Sequence, residues 1–249
     1  MPKSRKQDTS EDESPLPERS VEGLRIEAVV FDAYGTLFDM NSFASEANKI
    51  HRGKGKDILA IVRQKQIEYA MTRTILKKYE NFESITKKSI EFSLKKLKLS
   101  TSEQSIEKIF SAFLHLRTFK DVGSCLSDLD EIGLRIAILS NGTQTMLDKL
   151  IEYSGLSLLD EETVSVEGAK TYKPEPKAYE EILDHLQIFE KEKILYVSGN
   201  SWDAAGAKSF GFNVGWINRT KQPVFDEALY DLRPNFEFDN LSEVSVLLK

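Results

Sequence analysis

Residues 26–31 (IEAVVF) form a short apolar run, rich in β-branched side chains, that ends at an aspartate, Asp32. An apolar run of this length without alternation is what a strand buried on both faces of a parallel sheet requires. The pattern recurs. Residues 134–139 (LRIAIL) end at Ser140-Asn141-Gly142, and residues 193–197 (KILYV) end at Ser198-Gly199-Asn200. Residues 212–217 (FNVGWI) fit a fourth strand, and residues 236–238 a weaker one. Between these runs, residues 125–133, 144–155, 176–186 and 204–210 carry apolar side chains at helical spacing. Strands that alternate with helices predict an α/β fold with a doubly wound, Rossmann-like parallel sheet.

Residues 40–118 break the alternation. They hold no convincing strand, only amphipathic segments at 57–79, 84–97 and 102–116. This predicts a helical cap inserted after the first strand, with the catalytic core built from 25–39 and 119–249. Residues 1–24 are rich in charge and poor in anything to bury, which predicts a disordered tail. They lack the apolar stretch of a secretory signal and carry too many acids for a transit peptide.

Composition closes off several classes of function. With 249 residues and 40% hydrophobic side chains, the chain has ample material for a buried core. Its net charge is -6, and no basic face dominates, which argues against a nucleic-acid scaffold. No apolar stretch reaches the roughly 18 residues that a membrane span requires. The single cysteine, Cys125, cannot form an intrachain disulfide, which fits a reducing, cytoplasmic setting.

The strand ends therefore carry the functional information. Asp32, Ser140-Asn141 and Ser198/Asn200/Asp203 follow three strands, and Lys173 precedes a predicted helix as Tyr172-Lys173-Pro174. Taken singly, each is ordinary: a strand-end aspartate is more often a turn or cap, and Ser-Asn-Gly is a common turn. In an open parallel sheet, however, ligands bind outside the carboxyl ends of the strands. Four polar groups in this order should meet in one crevice.

Their spelling is specific. Phe-Asp-Ala-Tyr-Gly-Thr-Leu-Phe-Asp (31–39) resembles the first motif of the haloacid dehalogenase superfamily. Leu139-Ser140-Asn141-Gly142 resembles the second and Tyr172-Lys173-Pro174 the third. Ser198-Gly199-Asn200-Ser201-Trp202-Asp203-Ala204 is similar to the fourth as it occurs in L-2-haloacid dehalogenases (type II). Residues 63–69 (RQKQIEY) are close to the cap sequence of that branch.

The resemblance implies a chemistry. Asp32 would attack the halogen-bearing carbon of a small (S)-2-haloacid and form an ester, and water would then hydrolyse that ester to the (R)-2-hydroxy acid. Carboxylate nucleophiles divide one hard displacement into two easier steps. Lys173 and Thr36 would hold Asp32 ionised and oriented. Ser140 and the backbone about Ala33 and Tyr34 would receive the substrate carboxylate. Arg63 and Asn141 would cradle the departing halide. Asp203 would activate the water, positioned with Ser198, Asn200 and Lys173. Tyr34, Gln64, Phe82 and Trp202 would wall the substrate, and Tyr179 is either a site residue or a core aromatic.

Two departures from the phosphatases of the same superfamily shape this expectation. Those enzymes place a second aspartate two residues after the nucleophile to protonate an alkoxide; here Tyr34 stands there. A halide is the anion of a strong acid and leaves without a proton. Phosphatases also hold magnesium between the nucleophile, a backbone carbonyl and a motif-four aspartate, whereas this chain has Asn200. A carboxamide is a poorer ligand for that hard cation, so no metal or other cofactor is expected. A magnesium-dependent phosphatase and a catalytically silent binder of small acids remain the competing readings. None of His51, His115 or His185 lies in a motif, which argues against a histidine-dependent triad. Because members of the family are often dimers, the resemblance also raises a homodimer through the aromatic-bearing cap helices.

Overall fold

The computed structural model describes residues 19–21, 23–222, 225 and 231–249. Its first elements form a small hairpin: β1 (Arg19–Val21) pairs antiparallel with β2 (Leu24–Ile26), Val21 opposite Leu24. This corrects the expected tail. Residues 19–21 and 24 belong to a paired ladder whose backbone groups satisfy one another, a gain that side-chain composition does not report. Residues 1–18 and Glu22 lie outside the described residues.

The core is a six-stranded sheet in which every neighbouring pair is parallel. It contains β3 (Ala28–Phe31), β6 (Arg135–Ser140), β7 (Thr163–Ser165), β8 (Ile194–Ser198), β9 (Asn213–Ile217) and β10 (Phe236–Phe238), in the order β10-β9-β8-β3-β6-β7. All four residues of β3 and all five of β8 are buried, as expected of strands covered on both faces. The covering helices include α5 (Val122–Glu131), α6 (Gln144–Ser154), α7 (Pro176–Leu186), α8 (Ser201–Phe210) and α9 (Leu241–Leu248). From β3 the chain passes first to β6 and β7 on one side, then crosses to β8 and β9 on the other. The carboxyl ends of β3, β6 and β8 therefore flank a topological switch point, where open α/β sheets bind ligands.

The remaining helices are α1 (Met40–Ile50), α2 (Gly55–Ile75), α3 (Phe82–Lys96) and α4 (Glu103–Ser111). Side chains of Asp39, Asn81 and Ser102 accept backbone N–H groups at the starts of α1, α3 and α4, each such cap contributing ~1 kcal/mol. The chain leaves for these helices through β4 (Phe38–Asp39) and returns through β5 (Arg117–Thr118), and the two pair antiparallel. Among the elements, β7, α1, α9 and the two short hinge strands were not legible as separate segments in the sequence.

Candidate active site

Asp32 follows directly after β3, with its N–H donating to Val197 O of β8. Its carboxylate is almost fully enclosed and receives three donors. Thr36 Oγ1 lies 3.0 Å from Oδ2, Asn200 Nδ2 2.8 Å from Oδ2, and Lys173 Nζ 2.9 Å from Oδ1. Thr36 is fixed in turn, because its Oγ1 accepts the Gly199 N–H at 2.8 Å. Gly35, at φ +90°, makes the bend after Asp32, a conformation that side-chain-bearing residues rarely adopt. A Cβ on Gly199 would stand 2.7 Å from Gly35 O, so the β3 and β8 loops meet this closely only with glycine there.

Lys173 is the hub. Its ammonium is 1% exposed and reaches Asp32 Oδ1, Leu139 O and Asp203 Oδ2 at 2.9 Å each, and Tyr196 Oη at 2.7 Å. Four acceptors surround three N–H donors, so each acceptor has its share of a fully occupied cation. Burial alone would pull the Lys173 pKa down, but Asp203 and Asp32 outweigh it and hold the ammonium above its ordinary value. Asp203 is wholly buried behind the lysine. Tyr196 Oη and Ser198 Oγ each donate to its Oδ2 at 3.0 Å, and Tyr179 Oη donates to its Oδ1 at 2.8 Å. Burial pushes the Asp203 carboxyl up; Lys173 pulls it back and Asp32 pushes it further up, with a net rise.

Asp32, Tyr34, Arg63, Phe82, Ser140, Asn141, Lys173, Asn200 and Trp202 line one crevice between the sheet and the α1–α4 helices. Arg63 faces Asp32 and Tyr34 from α2; burial lowers its pKa, which the Asp32 charge and Tyr34 counteract. Its Nη1 donates to Gln66 Oε1 at 3.3 Å. Asn141 uses its Oδ1 to accept the Lys173 N–H at 2.9 Å, which leaves its amide N–H groups as the donors it can offer. Ser140 Oγ accepts the Gly142 N–H at 3.2 Å. Tyr34 Oη is buried without a hydrogen-bond partner among the described residues, and burial pushes the phenol pKa well above its usual value.

Several expected residues sit elsewhere. Thr36 bonds Asp32 as expected but from behind the crevice wall, where Ser198 and Asp203 also stand, and Ala33 is buried in the turn, its carbonyl accepting the N–H groups of Thr36, Leu37 and Phe38. Gln64, expected as a wall, is exposed; Gln66 lines the crevice instead and donates to Thr86 Oγ1 at 2.8 Å. A helix turns about 100° per residue, so the face that carries Arg63 continues through positions three, four, seven and eight further on. Those positions are Gln66, Ile67, Ala70 and Met71, all in the lining and all missed from sequence. Tyr179, expected at the substrate, is absent from the lining and bonds Asp203 from behind. Tyr196 was read only as part of a strand. The signal for it was period two: Tyr196 and Ser198 project from the same face of β8, and Asp203 lies against both.

A family model described as haloacid dehalogenase-like hydrolase matches residues 26–211. The (S)-2-haloacid dehalogenase of Pseudomonas fluorescens is 36% identical over 220 residues, covering 88% of this chain and 95% of that one. Haloacetate dehalogenase H-2 of Moraxella sp. (strain B) is 41% identical over 195 residues, covering 78% and 87%. Among solved structures, L-2-haloacid dehalogenase from Xanthobacter autotrophicus with chloropropionic acid covalently bound superposes with a TM-score of 0.81. It is 31% identical, covering 89% of this chain and 98% of that one.

Proposed function

This chain belongs to the haloacid dehalogenase-like hydrolases, and from that premise we propose that it hydrolyses small (S)-2-haloacids to (R)-2-hydroxy acids through an ester on Asp32. The observation that carries the choice of reaction is the position of Asn200. Its Nδ2 lies 2.8 Å from Asp32 Oδ2 and 3.0 Å from Tyr34 O. These two oxygens, the nucleophile's and a backbone carbonyl's, are the kind between which a superfamily phosphatase seats magnesium. Here a neutral N–H donor bridges them. The phosphatase reading also lacks its proton donor, since Tyr34 holds a phenol made still less acidic by burial.

In the first step an Asp32 carboxylate oxygen attacks the substrate carbon from behind, the carbon–oxygen bond forms, and halide leaves with the bonding pair. The substrate is itself an anion, so the approach needs donors. Lys173 neutralises Asp32, while Ser140 and the neighbouring backbone receive the substrate carboxylate. Arg63 and the Asn141 amide take up the charge that grows on the halogen. In the second step water gives its oxygen to the ester carbonyl carbon, and its proton reaches Asp203 by way of Lys173, whose ammonium stands between the crevice and that carboxylate. The tetrahedral species collapses, the hydroxy acid's oxygen leaves with a proton from Asp203 by the same route, and Asp32 is restored as one proton passes to solvent. Tyr34, Gln66, Ile67, Ala70, Met71, Phe82 and Trp202 form the mainly apolar walls. On this reading the sheet carries the nucleophile and the hydrolytic groups, and residues 40–118 supply Arg63 and shape the substrate space.

The test is halide release from the separate enantiomers of 2-chloropropionate, with and without EDTA. Release from the (S) form alone, at a rate the chelator leaves unchanged, is the expected result. Loss of activity with EDTA, restored by magnesium, would return the phosphatase-like reading. Arg63→Ala should lower kcat and kcat/KM together, each by about 100-fold or more, because the lost donor acts mainly on charge that develops after attack begins. An effect confined to KM would move Arg63 to the ground-state carboxylate.

The same reading takes the enzyme to be cytoplasmic and independent of nucleic acid. Among the described residues no helix is long and apolar enough to cross a membrane. A homodimer through the cap is compatible with the exposed Ile75 and Leu76 at the end of α2.

A further inference from the structure

Tyr196 belongs to no motif and lines no part of the crevice, yet its hydroxyl sits between the two charged groups that the reaction depends on. It accepts from Lys173 Nζ at 2.7 Å and donates to Asp203 Oδ2 at 3.0 Å. A strand buried on both faces calls for apolar side chains, and apart from Ser198 at its end β8 otherwise supplies Ile194, Leu195 and Val197. The ring of Tyr196 meets that demand: it stacks on Phe212 at 5.8 Å and meets Tyr179 edge-on at 5.7 Å. Phenylalanine would pack the same way without bringing a polar group into the core, which must then be satisfied. The hydroxyl therefore needs a reason other than packing.

We propose that Tyr196 is a positioning residue that sets the basicity of Asp203 and thereby the pH range in which the ester on Asp32 is hydrolysed. The inference rests on the two-step reading above. The groups facing the Asp203 carboxylate are Lys173 from the loop before α7, Tyr179 from α7, Tyr196 and Ser198 from β8, and Asp32 across the lysine. Burial makes Asp203 a stronger base and the donors temper it; once Asp32 is esterified, its charge no longer adds to the rise. A donor to the ionised carboxylate favours that form, so removing one raises the pKa. Water's proton can pass through Lys173 only to ionised Asp203, so the hydrolysis step fails as pH falls through that pKa. Without the hydroxyl, the failure begins at higher pH. The first step is different: Lys173 has four acceptors for three N–H groups, so losing Tyr196 leaves Asp32 its share of the cation.

The experiment is Tyr196→Phe, followed through both steps. With enzyme in excess over (S)-2-chloropropionate, the halide burst reports ester formation, and mass spectrometry of the Asp32 peptide reports ester decay. The expected result is a burst within about twofold of the parent, with the acid limb of ester decay displaced upward by about one pH unit. Phe212→Leu serves as the packing control, since it disturbs the same ring stack while leaving the hydroxyl in place, and its acid limb should not move. An unshifted limb in Tyr196→Phe, an equal shift in Phe212→Leu, or a Tyr196→Phe chain that does not fold would overturn the proposal. Halide release from the parent enzyme with no ester on the Asp32 peptide at any time would instead overturn the two-step reading itself.

Discussion

Asp32→Asn is expected to abolish halide release, by on the order of 10⁵-fold, while the protein stays folded. An uncharged amide oxygen is a far weaker nucleophile than a carboxylate, and removing a covalent nucleophile from an otherwise intact site commonly costs roughly four to six orders of magnitude. The fold should tolerate the change. The new Oδ1 can still accept from Lys173, and Thr36 can turn its hydroxyl to accept from the new amide. One contact turns unfavourable, because Asn200 Nδ2, now 2.8 Å from an acceptor, would face a donor. That mismatch should lower stability by about 1–3 kcal/mol. The companion experiment follows oxygen. In heavy-oxygen water with enzyme in excess, the first-turnover product of the parent should be unlabelled and the peptide containing Asp32 labelled. Label in that product with none on the peptide would make Asp32 a general base for water. Substantial initial activity in a verified, non-deamidated Asp32→Asn sample would remove it from the chemistry.

Lys173→Met should be the second most damaging change, and it acts on both stability and rate. Methionine fills much of the same volume but leaves Asp32 and Asp203, 4% and 0% exposed, without the cation between them. Breaking a buried ion pair by removing one partner costs about 3–5 kcal/mol. The pH dependence follows from the directions of the shifts. In the parent, the Lys173 pKa is raised on folding. Its contribution is therefore present throughout the neutral range and is lost only as pH rises through the folded-state value. In the variant, the paired carboxylates repel, so a folded-state carboxyl pKa should rise further above its unfolded value. The folded state then binds the extra proton, and the variant gains stability as pH falls. Urea unfolding at mildly acidic and at neutral pH should show the parent–variant gap narrowing toward acid. A gap of constant size would mean that Lys173 does not hold the two carboxylates as drawn. Turnover at neutral pH should fall by about 10³-fold or more, since Asp32 is no longer stabilised as the anion.

The sequence was most informative where one-dimensional pattern and three-dimensional environment coincide. Strands buried on both faces read as unbroken apolar runs, so β3, β6 and β8 were found with their carboxyl ends within about one residue. The three-residue β7 contains only one such side chain between two hydroxyl-bearing ones, and its place at the sheet edge demands no apolar run. The hairpin of residues 19–26 escaped for a related reason, since it rests on backbone pairing. In the site, residues tied to strand ends were placed by topology alone. Gln64 was misplaced because a linear motif does not say which helical face looks inward; Arg63 as a phase marker would have selected Gln66. Tyr179 and Tyr196 reach Asp203 through a hydroxyl on an otherwise core-like ring, and an aromatic in an apolar stretch gives no outward sign of that.

The two-residue ladder joining Phe38–Asp39 to Arg117–Thr118 has a consequence for how this enzyme can diversify. Seen from the sheet, the long excursion through α1–α4 is a single closed turn whose ends are already a hydrogen bond apart, so its length adds little loop-closure entropy to the core. The crevice is split along the same seam: Asp32, Lys173, Asn200 and Trp202 on one bank, Arg63, Gln66, Ile67, Met71 and Phe82 on the other. Grafting a foreign excursion onto Asp39 and Arg117 would exchange the second bank wholesale. The nucleophile and its lysine would keep their places, and a graft that returned a cation to the position of Arg63 would change the substrate range without rebuilding the sheet.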